Sequence, residues 1–251
     1  MDLGLTGKTA LISGSSKGIG LSIAKYLHKE GCNVVLNGRY SKLLKEISNS
    51  LGSRSSYFAA DVTKISECTK LVNHVIKTFG NIDILICNVG DGSSPKPGKE
   101  QISDWQKMLD INLNSSINLI TTSLESLKKT SGSIVCISSI AGIETTDAPI
   151  PYSIAKSALN SYVKNISKPF ANFGIRINAV APGNILFKGS IWEKKLENNK
   201  NMVLDMISKK VPMNRFGIPD EIASAVVFLS SSLSSFTTGN ILVIDGGQTK
   251  S

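Results

Sequence analysis

Histidine and cysteine are scarce in this chain, which has 2 and 4 of them among 251 residues. The two histidines, His28 and His74, fall in separate helical patterns. A Ser-His-Asp triad or a histidine-rich metal cluster therefore lacks its parts, and most hydrolase mechanisms go with them. The cysteines (Cys32, Cys68, Cys87 and Cys136) are dispersed, with no Cys-x-x-Cys spacing. Two of them lie in apolar, strand-like runs, where cysteine behaves as a small buried hydrophobe. Neither a disulfide framework nor a metal site is expected.

Long apolar runs are also missing, since none approaches the roughly 20 residues of a membrane span. The start, Met1-Asp2-Leu3-Gly4-Leu5, has no basic segment ahead of an apolar stretch, so no signal peptide is expected. These absences favour a soluble cytoplasmic protein without a membrane partner. The formal charge is +9, yet the lysines are scattered and no basic stripe is interleaved with aromatics. Nucleic acid is not an expected partner. A lysine-rich solvated surface accounts for the charge, and it suits an anionic cofactor or substrate.

What is present is an alternation of strand and helix. Short apolar runs at residues 8–13, 33–37, 56–59, 82–87, 133–138, 175–180 and 241–244 read as seven strands. Helical patterns lie between them, at 18–29, 42–50, 65–79, 103–128, 152–173 and 219–229. Pro169 should kink the fifth of these or end it early. Residues 91–99, rich in Gly, Ser and Pro, read as a loop. Runs that are apolar throughout suggest strands buried on both faces. The expectation is α/β: one domain over residues 1–251, a doubly wound Rossmann sheet of seven parallel strands flanked by helices.

Tyr152 and Lys156 stand four apart on a helix and so share a face. A lysine ammonium beside a phenol favours the phenolate, which would lower the tyrosine pKa and suit it to proton transfer. Upstream, Ser13-Gly14-Ser15-Ser16-Lys17-Gly18-Ile19-Gly20 joins the first strand to the first helix. Glycines there let the backbone turn sharply and approach a pyrophosphate at the helix N-terminus. The second strand ends Leu36-Asn37-Gly38-Arg39, with no acidic residue for a ribose hydroxyl. Arg39 and Lys17 could instead reach a 2′-phosphate, which predicts NADP(H); the plainer reading is two solvated surface charges.

These motifs, in this order and almost end to end, resemble the short-chain dehydrogenase/reductase family. The resemblance implies that Gly14, Ser16, Lys17, Gly18, Ile19 and Gly20 hold the cofactor's phosphates. It assigns Asp61 and Val62 to the adenine and identifies Asn88-Val89-Gly90 with the segment after the fourth strand. It places Pro182-Gly183 and the Ile185 backbone near the nicotinamide, with Asp245-Gly246-Gly247 as the closing signature. Ser139, 13 residues before Tyr152, would bind the carbonyl oxygen, with Ser138 its strand-end neighbour. Tyr152 would pass the proton, Lys156 would hold the ribose, and Asn112 would position a water behind the lysine. No metal is implied.

Three departures stand out. Phe187 occupies a position where family members often carry a cofactor-contacting Thr. Pro169 lies in a helix that often packs on a second subunit, which bears on the implied homo-oligomer, a tetramer or dimer. Carrier-protein-dependent 3-oxoacyl reductases tend to show two basic sites; Lys128 and Lys129 match the first, but Phe173 fills the second. Residues 184–215 are the expected substrate lid, with seven basic residues against three acidic ones. That excess suits an anionic substrate or carrier equally as well as a solvated helix. Trp192 either lines the pocket or packs locally. The leading expectation is NADPH-dependent reduction of a small-molecule carbonyl to an alcohol, best a 3-oxoacyl thioester. A dehydrogenase of a sugar or other polar alcohol, or a non-catalytic NADP-binding sensor, are the alternatives.

Overall fold

Period-two burial along the strands divides the core into two layers. A computed structural model of the chain describes residues 1–95 and 97–250. In it, Leu11 of β1 (Thr9–Ile12) joins one apolar cluster while Ala10 and Ile12 join the other. Successive strand side chains point to opposite faces, so each strand feeds both clusters.

The strands are β1, β2 (Asn33–Gly38), β3 (Ser55–Ala59), β4 (Ile84–Cys87), β5 (Ser133–Ile137), β6 (Arg176–Pro182) and β7 (Ile241–Ile244). All pair in parallel, in the order β3-β2-β1-β4-β5-β6-β7. The helices α1 (Gly18–Lys29), α2 (Ser41–Leu51) and α3 (Ile65–Phe79) follow the first three strands in turn. Then come α4 (Ile102–Leu109), α5 (Ser115–Thr130), α6 (Ile150–Ala171), α7 (Ile191–Asn198), α8 (Lys200–Lys210) and α9 (Pro219–Ser230). The strand order reverses between β1 and β4, and the carboxyl ends of those strands open the crevice where such sheets take ligands. The seven-stranded doubly wound sheet is as expected.

Two helices depart from their expected course. The segment expected as one helix over 103–128 is interrupted by a π-helical stretch at Asp110–Asn114. In the other, α6 runs unbroken through Pro169 to Ala171 instead of stopping early. Proline removes one donor there, but only two residues follow, so a single bond near the frayed end is lost. Residues 91–99 carry no helix or strand as expected, apart from Lys96, which lies outside the described residues. Among the described residues no helix is long and apolar enough to cross a membrane. All four cysteines are buried thiols.

Candidate active site

The glycine turn is pinned from both sides. The Ser15 amide donates to Asn37 O at 2.8 Å, and the Asn37 amide returns a bond to Ser15 Oγ at 2.9 Å. From β4, Asn88 Nδ2 donates to Ser13 O and Gly14 O, both at 3.0 Å. The turn needs its glycines. Gly14 and Gly18 have φ of +63° and +56°, and a Cβ on Gly20 would fall 2.5 Å from Asn88 Nδ2 and from Gly14 O. Helix α1 has no side-chain N-cap and no acidic residue in its first turn. Its leading N–H groups, including those of Gly18 and Ile19, are therefore suited to an anion. The cradle fits a pyrophosphate.

Asn88 serves this cradle as a brace, because its amide nitrogen is committed to the turn. Ser15 and Asn37 were not foreseen as contributors. Their signal is a polar residue fully buried in an otherwise apolar strand, as Asn37 is in β2.

Between the glycine turn and the end of β2, Ser16 lies against Gly38, whose added Cβ would be 3.6 Å from Ser16 Oγ. Arg39 is exposed, its guanidinium 6.0 Å from the centre of the Tyr40 ring. Asp61 binds the amide and hydroxyl of Thr63 at 3.1 and 2.7 Å. Burial alone would raise its pKa, but those bonds, with Lys64 and Arg39, hold the carboxyl below its ordinary value. The Val62 side chain is buried beside it. The Lys17 ammonium donates to Gly189 O at 3.2 Å and so is tied to the segment after β6.

The expected catalytic residues come together at the ends of β4, β5 and α6. Ser139 follows β5, and its hydroxyl accepts the Ala141 amide at 3.1 Å, fixing a short 3-10 turn at Ile140–Gly142. Tyr152 lies in the first turn of α6. Burial raises its pKa, while the Ser139 hydroxyl acts on the phenol in the opposite sense and Asp91 adds to the rise. The buried Lys156 ammonium donates to Ile137 O at 2.8 Å, and burial brings its pKa down to about 8. The expected depression of the tyrosine pKa is thus corrected: burial raises it, and the lysine bonds the Ile137 carbonyl instead of the phenol.

Asn112 sits in the π-helical stretch, fully buried. Its Nδ2 donates to Asp91 O at 2.9 Å, and its Oδ1 accepts the Asp91 amide at 3.1 Å. A π turn widens the helix locally, and here it brings this amide side chain to the segment after β4. Gly90 completes the arrangement: an added Cβ would lie 3.1 Å from Asn112 Oδ1 and 3.2 Å from Lys156 Nζ. The missing side chain leaves a space that both polar groups face.

Beyond β6, the bridge between Ile185 and Gly217 uses Asn184 O and Leu186 N, on either side of Ile185. The amide and carbonyl of Ile185 therefore face away from that bridge. Residues 184–215 hold α7 and α8, and Trp192 packs on Phe216 with ring centres 5.4 Å apart. Lys209, Lys210 and Arg215 are paired with Asp205, Asp147 and Glu221. Lys128 stands 4.6 Å over the Phe173 ring while pairing with Glu125. No group of three or more metal-ligating His, Cys, Asp or Glu occurs among the described residues.

The chain is similar to known reductases and dehydrogenases over almost its whole length. A family model described as enoyl-(acyl carrier protein) reductase matches residues 14–249. A 3-oxoacyl-[acyl-carrier-protein] reductase of Rickettsia prowazekii is 36% identical over 244 residues, covering 97% of each chain. Glucose 1-dehydrogenase 2 of Bacillus subtilis is 34% identical over 254 residues, covering 98% of this chain and 96% of that one. Among solved structures, L-sorbose reductase from Gluconobacter frateurii, complexed with NADPH and L-sorbose, superposes with a TM-score of 0.94. It is 30% identical and all of both chains is covered.

Proposed function

The chain belongs to the short-chain dehydrogenase/reductase family, and from that premise we propose that it reduces a ketone to an alcohol with NADPH. The observation that supports this reading is Ser139 within hydrogen-bond reach of Tyr152, Lys156 5.8 Å from the Tyr152 ring, and Asn112 facing Lys156 across the Gly90 gap. A sensor would need only the cofactor cradle, and the grouping of these four residues supports a proton-handling role beyond it.

NADPH, when bound, supplies the hydride. Ser139 hydrogen-bonds the carbonyl oxygen on which negative charge develops. Tyr152 delivers a proton to that oxygen. Its raised pKa keeps it protonated near neutral pH, the form that reduction requires. Lys156 contributes positive charge at the same place and a donor for a ribose. Asn112, held by both polar groups of Asp91, faces the gap from which a water would return the proton. The glycine turn takes the pyrophosphate. Ser16 belongs with that turn, Arg39 and Lys17 select the 2′-phosphate of NADPH, and Asp61 and Val62 shape the adenosine end.

The substrate reading favoured is a 3-oxoacyl thioester. The Rickettsia relative is named for that reaction, and Lys188, Lys194 and Lys200 of the lid carry no ion-pair partner among the described residues. A polyhydroxy ketone is the second reading. It is favoured by the Asp91 carboxylate within electrostatic reach of Tyr152 and by the sugar-reducing structural neighbour. The family premise also extends to a homo-oligomer. The test is NADPH oxidation with acetoacetyl thioester, simple ketones and keto sugars in parallel. Consumption with the thioester alone supports the first reading, and consumption with keto sugars alone replaces it with the second. Tight NADPH binding without consumption by any of them revives the sensor.

A further inference from the structure

The Phe187 ring lies on the glycine turn. A Cβ on Gly18 would fall 2.4, 2.6 and 2.8 Å from three of its carbons, so the ring fills the space that glycine leaves open at the α1 N-terminus. That space adjoins the Gly18 amide, one of the N–H groups assigned above to the phosphate. The ring is one of the partly buried residues packed on the core cluster beneath α1. It therefore has apolar support where it sits.

The ring does not sit there alone. Phe187 O accepts the Ser190 amide at 3.0 Å, and Ser190 Oγ caps α7 by accepting the Glu193 amide at 3.1 Å. Gly189 N donates to Glu193 Oε2 at 2.6 Å, and Gly189 O takes the Lys17 ammonium at 3.2 Å. Ring, turn and helix start are thus one piece, latched to Lys17 and Gly18. An incoming anion meets an apolar ring over its donors and a lysine already engaged.

We infer that Phe187 and Lys17 form a latch that closes the lid over the phosphate cradle, so that NADP(H) seats only after residues 187–190 lift away. The inference rests on the cofactor reading above. Phosphate oxygens replace Gly189 O at Lys17, and the bare N–H groups of α1 take the anion once the ring has left. Apparent affinity is then the intrinsic affinity reduced by the fraction of open molecules.

The experiment is stopped-flow binding of NADPH, followed by Trp192 fluorescence in a Trp105→Phe background. Wild-type Phe187 should give a binding rate that saturates with NADPH, its plateau being the rate of opening. Phe187→Ala should raise that plateau about tenfold and tighten NADPH binding by roughly 3- to 10-fold, with Phe187→Leu between the two. If alanine destabilises the fold, leucine carries the test, since it keeps an apolar group on the core. Binding unchanged within about twofold, or weakened, in these variants overturns the latch, because the ring would then be neutral or a support for the bound cofactor. Failure of the wild type and both variants to bind either NADPH or NADH overturns the cofactor reading itself.

Discussion

Lys156 Nζ lies 5.8 Å from the centre of the Tyr152 ring and gives its hydrogen bond to Ile137 O, not to the phenol. The side chains share one face of α6, as their spacing requires, yet the cation is buried and bonded to the sheet.

This placement costs stability. Burial lowers Lys156 from 10.5 to about 8, so between those values the unfolded chain binds more protons than the folded one. Stability contributed by this site therefore rises with pH from about 8 to 10.5 and is lowest below 8. Lys156→Met should abolish turnover while stabilising the protein at pH 7 by about 1–2 kcal/mol, after allowing for the lost bond to Ile137 O. Urea midpoints measure this: the gain should be present at pH 7 and vanish near pH 10.5. A destabilised variant at pH 7 contradicts the assignment.

Gly90→Ala tests the gap between Asn112 and Lys156. Its backbone is not in the left-handed region, so the added methyl strains only the space, at 3.1 and 3.2 Å from the two polar atoms. Turnover should fall by roughly 10- to 100-fold from misplacement of the proton path, with the melting temperature little changed. Unchanged turnover means the gap has no part in the reaction.

On the proposed cofactor reading, Arg39 and Lys17 set the choice of cofactor. Removing one charge-assisted bond to the 2′-phosphate costs about 1.5–3 kcal/mol, so Arg39→Leu should lower the NADPH-to-NADH ratio of kcat/KM by roughly 10- to 100-fold. Lys17→Met should act in the same direction, but less in ground-state affinity, because it also frees Gly189 O. An NADPH preference retained in the double variant shows that other groups read the phosphate.

Strand positions were legible because apolar runs bounded by glycine, serine and asparagine need little else to specify a parallel sheet. The glycine turn was legible from its glycine spacing, and the grouping of Ser139, Tyr152 and Lys156 from the family pattern they match; the chemistry assigned to them is proposed. The π turn that aims Asn112 was not, since the wider bonding pattern leaves no periodic mark over five residues. Nor was the tie between Lys17 and Gly189, which joins positions 172 apart. The direction of the Tyr152 pKa also escaped sequence reasoning. Spacing reports which charge is adjacent, whereas the outcome depends on burial by residues from several elements. Pro169 misled because its effect depends on distance from the helix end, which the tertiary fold sets.

The most direct test of the account is Tyr152→Phe, measured for NADPH binding and for NADPH oxidation with the substrate that the panel selects. The phenol is the proton donor in this account, so cofactor affinity should stay within about threefold while turnover falls by roughly 10² to 10⁴. Turnover within tenfold of the wild type, with the cofactor still bound, would contradict it.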